Sequence, residues 1–239
     1  MAKIIDGRAV SRFVRESVAK ETKYLKQNGL VPGLAVIIVG MDPASHVYVK
    51  NKEKACEEVG FYSEKYSMPE DTTQADLNAL IDELNARRDI HGILCQLPLP
   101  RHLNPQEVID RISPDKDVDA FHPTNVGRIM IGDYRFLPCT PAGIMELIHS
   151  TGVDIAGKKA VVVGRSNIVG KPMSMLLLHE NATVTMTHSK TLDLASETRE
   201  ADILIAAIGK PKFFTADMVK HGALVIEVGM EGDEKGKLC

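Results

Sequence analysis

The chain has 239 residues, 44% of them hydrophobic and 26% charged, with a formal net charge of −3. That balance suits a globular protein of one large or two modest domains; it supplies no polybasic stripe for nucleic acid, no acidic tail and no apolar run long enough to span a bilayer. The four cysteines (Cys56, Cys95, Cys139, Cys239) have no CxxC spacing and the eight histidines no metal-ligand spacing, so a metal-free protein of the reducing cytoplasm is expected.

In chain order, Val10, Phe13, Val14 and Val18 mark one face of a first helix that ends near Gly29. The run "LAVIIVG" has strand length, and a helix over roughly 44–59 follows. Leu77, Leu80, Ile81 and Leu84 make the next helix amphipathic. "HGILCQLPLP" reads as a strand that Pro98 and Pro100 must stop, because proline cannot donate to a ladder. Residues 104–132 read as turn-rich. Thr140, followed by Pro141, reads as the N-cap of a further helix. After it, "KKAVVVG", "ATVTMTH", "ADILIAAIG" and "GALVIEVG" read as four buried strands separated by helices, the pattern of a parallel sheet covered on both faces. The expected fold is α/β in two domains: an N-terminal αβ substrate domain over 1–138, and a Rossmann-like doubly wound parallel sheet over 139–239, with a ligand cleft between them.

"VVVGRSNIVGKPM" is a strand, a glycine-bounded turn and a helix start, a junction that aims backbone N–H groups at a phosphate. It lacks the GxGxxG spacing, and such turns also occur merely for packing. At the end of the next strand an NAD site usually carries an acid for the ribose hydroxyl. Here stand Ser189 and Lys190, with Arg165 in the loop, a set that suits a 2′-phosphate and favours NADP; the alternative is that these are solvated surface charges.

The first half offers Tyr48 and Lys52 at i and i+4 on one helix face, Gln96 at a strand end and Asp119 in "DKDVDAF". All four belong near the carboxyl ends of strands, where open αβ sheets bind ligands. A lysine held by an amide beside an aromatic ring is a candidate acid/base group, since partial burial lowers an ammonium's pKa. Against this, Lys50 and Lys54 flank it as an ordinary solvated face, and Asp119 is one of three acids in a turn with Asp115 and Asp117. The YxxxK spacing also matches short-chain dehydrogenases, but those place the glycine loop before the Tyr/Lys pair, and here it follows.

Taken together, "SHVYVKNKEKACEEVGF", "GILCQLPLP", "PDKDVDAFHPTNVGR", "PCTPAG", "GRSNIVGKPM" and "GALVIEVG", in that order, resemble the bifunctional methylenetetrahydrofolate dehydrogenase/methenyltetrahydrofolate cyclohydrolase family over essentially the whole chain. The resemblance implies NADP-dependent oxidation of 5,10-methylenetetrahydrofolate and hydration of the product to 10-formyltetrahydrofolate by a cytoplasmic homodimer. It implies that Lys52 is the catalytic lysine, that Gln96 holds it, and that Tyr48 packs on the folate. Leu97 and Pro98 would line the substrate site, and Asp119 would accept from the pterin's aminopyrimidine edge. Gly164, Arg165 and Ser166 would hold the NADP phosphates, with Thr140 and Met230 near the nicotinamide. The chain departs from the family at Ala120, usually glycine, and at Glu227 and Met230, usually aspartate and isoleucine. It ends at "EGDEKGKLC", where relatives continue through a strand and a closing helix; activity and domain coupling are expected to depend on that segment. A folate- or NADP-binding protein without turnover and a different two-domain NADP dehydrogenase are the alternatives.

Overall fold

The first helix, α1 (Gly7–Gln27), begins where a capping carboxylate stands: Asp6 accepts from the backbone N–H of Arg8 (3.0 Å) and of Ala9 (3.1 Å), two of the donors that a helix start leaves without partners. A computed structural model describes residues 2–210 and 212–228. The chain divides into two compact units after Val126. The expected join at 138/139 falls at the start of a helix in the second unit.

In the first unit α1 is followed by β1 (Gly33–Val39), α2 (Pro43–Val59), β2 (Tyr62–Met68), α3 (Gln74–Ala86), β3 (Gly92–Cys95) and α4 (Pro105–Arg111). The three strands are parallel in the order β2-β1-β3. Successive β1 side chains go to opposite faces, and both are covered. Ala35, Ile37 and Val39 pack with Leu77, Ile81 and Leu84 of α3, while Val36 and Ile38 pack with Val49 of α2 and Leu94 of β3. Burying each large aliphatic side chain stabilises by about 1.5–3 kcal/mol, which is what holds these helices to the sheet. One expectation fails here, since Phe13 lies 71% exposed and outside the core. The sequence reading also passes over β2, which has no apolar run to announce it. As an edge strand, β2 mixes exposed and half-buried residues and buries none fully.

The stretch read as turns holds α4, capped by Asn104 with Pro105 in its first turn, and α5 (Pro123–Ile131). The second unit continues with α6 (Cys139–Ser150), β4 (Lys159–Val163), α7 (Gly170–His179), β5 (Thr183–Thr187), α8 (Leu194–Arg199), β6 (Ile203–Ala206) and β7 (Leu224–Glu227). Among the described residues its four parallel strands run in the order β5-β4-β6-β7. The central pair β4 and β6 is almost wholly buried, while β5 and β7 at the edges are only partly so, which corrects the expectation of four buried strands. Thr140 is not an N-cap: Pro138 occupies that place, Thr140 lies inside the first turn, and no side chain bonds the helix start because proline offers no acceptor. Among the described residues no helix is long and apolar enough to cross a membrane.

Candidate active site

In the first unit the strand order reverses between β1 and β3, and ligands in such sheets collect outside the carboxyl ends at that point. Three elements arrive there. The α2 helix begins just after β1, its start fixed by Asp42 accepting from Ser45 N–H (2.8 Å) and by Pro43 in the first turn. Val49, 1% exposed, anchors α2 on the sheet and leaves Tyr48 and Lys52 half-buried beside it. Gln96 closes β3: its backbone N–H donates to Ile37 O (2.8 Å).

The Gln96 side chain is aimed by its own neighbourhood. Its Nε2 donates to Leu97 O (2.7 Å), which leaves Oε1 to accept from Lys52 Nζ at 3.1 Å. Leu97 and Pro98 then leave the sheet through a cis peptide bond, with Leu97 half-buried and Pro98 exposed. The half-buried carboxyl of Asp119 has its pKa raised, first by burial; the Lys52 charge opposes that and the Asp117 charge adds to it. Burial and the Asp119 charge push the Cys95 thiol up to about 12. Lys52 and Gln96 are therefore joined by a hydrogen bond, and Asp119 lies within range of the Lys52 charge. Tyr48 lies one helical turn before Lys52 on the same face. A lysine, an amide acceptor and a carboxylate at one sheet end can move a proton and hold a polar ring edge.

Sequence reasoning missed Phe121 and Asp117, which line a small recess with Cys95, Leu97 and Asp119. Asp117 is 4% exposed, and only the repeat of acids in "DKDVD" hinted at it.

The second unit supplies the other candidate set. Gly164 ends β4 with φ 132°, and a Cβ there would stand 2.6 Å from Ala207 O. A Cβ on Gly170 would stand 2.2 Å from Gly164 O, so the two glycines let the start of α7 press against the end of β4. The Gly164 N–H is already given to Thr187 O (3.0 Å), so this residue shapes the loop and is no free donor. Ser166 Oγ accepts from Val169 N–H (3.1 Å) and Gly170 N–H (3.3 Å), starting the helix that Val169, the N-cap, cannot bond by a side chain. Arg165, Ser166, Asn167 and Ile168 are exposed above this junction.

Val163 pairs with Thr187, which puts Arg165 and Ser189 each two residues beyond one register position of neighbouring strands. Ser189 and Lys190 are exposed there, with Lys190 N–H donating to His188 Nδ1 (3.1 Å). Two cations and a hydroxyl beside a glycine cradle are a donor set that fits a phosphorylated dinucleotide. Thr140 is exposed in the first turn of α6; Met230 lies outside the described residues. Among the described residues no group of three or more His, Cys, Asp or Glu side chains is placed to hold a metal.

Comparison with known proteins covers both units. Residues 5–119 match the family model "Tetrahydrofolate dehydrogenase/cyclohydrolase, catalytic domain", and residues 138–239 match "Tetrahydrofolate dehydrogenase/cyclohydrolase, NAD(P)-binding domain". The chain is 58% identical over 236 residues to the bifunctional protein FolD of Moorella thermoacetica, covering 98% of this chain and 84% of that one. Among solved structures, the FolD methylenetetrahydrofolate dehydrogenase/cyclohydrolase of Campylobacter jejuni is 46% identical with a TM-score of 0.95, over 99% of this chain and 84% of that one. The Trypanosoma brucei methylenetetrahydrofolate dehydrogenase-cyclohydrolase, solved with NADP cofactor and an inhibitor, is 37% identical with a TM-score of 0.92, over 99% and 84%.

Proposed function

Since the chain belongs to the tetrahydrofolate dehydrogenase/cyclohydrolase family, and is a bifunctional methylenetetrahydrofolate dehydrogenase and methenyltetrahydrofolate cyclohydrolase, we propose that the Lys52 cluster is where its folate chemistry takes place. The chain also carries an NAD(P)-binding domain. The observation that carries the reading is the 3.1 Å bond from Lys52 Nζ to an amide oxygen whose direction Leu97 O fixes.

In the hydration step water adds to the cationic methenyl carbon. A proton from that water passes to Lys52, and the nitrogen freed as the ring opens takes one up, the surplus proton going to solvent. Lys52 must first give up a proton to act as this base, and Gln96 holds the nitrogen in place through the exchange. Asp119, when ionised, accepts from the two-donor edge of the pterin, and Tyr48 packs against the folate. Leu97 and Pro98 line the same substrate site.

The nucleotide supplies the hydride acceptor for the oxidation. Gly164 would shape its cradle, Arg165, Ser166 and Ser189 would hold its phosphates, and Lys190 would add charge for a 2′-phosphate, a set that favours NADP; the family resemblance assigns Thr140 and Met230 to the nicotinamide end. Residues 1–138 serve as the folate domain and 139–239 as the nucleotide domain. The working form is a homodimer, which sedimentation equilibrium reads as twice the chain mass.

The test is Gln96→Met, which keeps the side-chain length and removes the acceptor. Hydrolysis of methenyltetrahydrofolate should fall by about a hundredfold, in the range general acid/base groups contribute. A rate equal to the unaltered protein's would remove Gln96 from the mechanism.

A further inference from the structure

Two residues before the proposed pterin carboxylate stands a second acid that the mechanism leaves unused, Asp117. It is 4% exposed, and a buried carboxylate is costly unless several donors meet it. Here two donors meet one oxygen. Asp117 Oδ2 accepts from the backbone N–H of His122 (2.8 Å) and from Asn125 Nδ2 (2.9 Å). The Asn125 amide, itself 2% exposed, also donates to Pro114 O (2.9 Å), so it bridges the residues on both sides of the loop.

The backbone at Asp117 is tied to the sheet as well. Ile93 N–H donates to Lys116 O (2.8 Å), and Ile93 pairs with Asp117 in a parallel bridge. Ile93 lies three residues before Gln96 on β3. Residues 118–121 thus form a short arch. One foot is stitched to the strand that presents Gln96, and the other is held at His122 by the Asp117 side chain. Ala120 N–H donates to Asp117 O (3.1 Å) inside the arch, to which Asp119 belongs.

We propose that Asp117 is a positioning residue of the folate site: its carboxylate closes the arch that carries Asp119 and thereby fixes Asp119 relative to Gln96 and Lys52. The proposal rests on the reading of Asp119 as the pterin acceptor. The carboxylate also acts through its charge. The groups acting on Asp119 are Lys52, whose charge favours the ionised form, and Asp117, whose charge disfavours it; the Cys95 thiol beside them stays neutral.

The experiment is steady-state kinetics on the full chain for Asp117→Ala, Asp117→Asn, Asn125→Ala and Asp119→Ala. KM for methylenetetrahydrofolate and for NADP are measured separately, with the acid limb of kcat/KM for the folate. Because both bonds end on Oδ2, an asparagine can place its single acceptor oxygen there and keep them while losing the charge. Asp117→Ala should raise the folate KM by about tenfold or more and leave the NADP KM within about twofold. Asp117→Asn should recover most of the folate KM and move the acid limb to lower pH, since a charge that raises the Asp119 pKa is gone. Should Asp117→Ala not fold, Asn125→Ala, which removes one donor and the bridge to Pro114, must show the same folate-selective rise. The proposal is overturned if folate and NADP KM rise together, or if the folate KM is unchanged in the Asp117 and Asn125 variants while Asp119→Ala raises it. An unchanged folate KM in Asp119→Ala overturns the reading of Asp119, and the proposal with it.

Discussion

Ala120 sits beside the proposed pterin acid with φ 55°, 1% exposed, in a backbone region that costs an L-residue roughly 1–2 kcal/mol. The family resemblance puts glycine at this place, and the positive φ is the physical reason for it. Ala120→Gly should therefore gain about 0.5–1 kcal/mol, the relief of strain less the extra chain entropy of glycine in the unfolded state. The shift of the urea midpoint measures it; a loss of stability would show that packing of the methyl group outweighs the strain. Cys95 and Cys56 are buried with raised thiol pKa values, whereas Cys139 is exposed. Of these three, Cys139 should react first with a thiol reagent at neutral pH, read by mass spectrometry of the native protein. With Asp119 as the proposed pterin acceptor, the pH dependence of folate binding follows from its carboxyl. Its raised pKa means that its charge is lost on acidification at a higher pH than an ordinary aspartate's, so the folate KM should rise as pH falls through that raised value. At this scale the sequence is informative where chemistry needs a spacing. Tyr48 and Lys52 at i and i+4 lie on one face of α2, and Gln96 at a strand end meets Lys52. Asp117 stays hidden because its carboxylate works through backbone and amide bonds that no spacing reveals.

Among the elements, the start of α7 is the most tightly determined. Gly170→Ala would drive a methyl group against Gly164 O and should cost at least about 1–3 kcal/mol. Gly143 makes the contrast, since it is exposed in α6 and a methyl group added there would meet nothing within 4 Å: Gly143→Ala should gain about 0.5–1 kcal/mol from helix propensity alone. Chemical denaturation of the pair separates close approach from mere flexibility. Equal effects of the two substitutions would contradict the packing account of the loop. Strands β1, β3, β4 and β6 can be read directly because they are covered on both faces and must be apolar throughout. Strand β2 cannot, since an edge strand rich in Glu64, Lys65 and Tyr66 carries no continuous signal. Helices α4 and α5 hide in a segment whose prolines read as breakers; Pro105 and Pro123 instead stand in first turns, where a missing N–H costs nothing. The N-cap of α6 stands two residues before the place the sequence suggests, because Thr140 looks like a cap and Pro138 does not.

Across the described residues, each unit holds a parallel sheet whose strand order reverses once, and in the proposed reading each sheet serves one half of the chemistry. The first gathers a lysine, an amide and a carboxylate, and the second a glycine cradle flanked by Arg165, Ser189 and Lys190. Ligand linkage tests the second: NADP at about a hundred times its Kd should stabilise the protein by about 2.7 kcal/mol. At equal concentration NADP should raise the melting temperature more than NAD, and that difference should shrink in a Lys190→Ala variant. The two-unit α/β plan is legible from the rhythm of apolar runs, while the order of strands within each sheet is not, since periodicity carries no pairing information.

The most direct test of the central claim compares the unaltered chain with Lys52→Met, measuring methylenetetrahydrofolate oxidation with NADP after acid quenching and methenyltetrahydrofolate hydrolysis separately. The variant should lose hydrolysis by about a hundredfold or more and lose oxidation with it, while NADP still raises its melting temperature as in the unaltered chain. A Lys52→Met protein that keeps both activities would place the chemistry elsewhere and contradict the account.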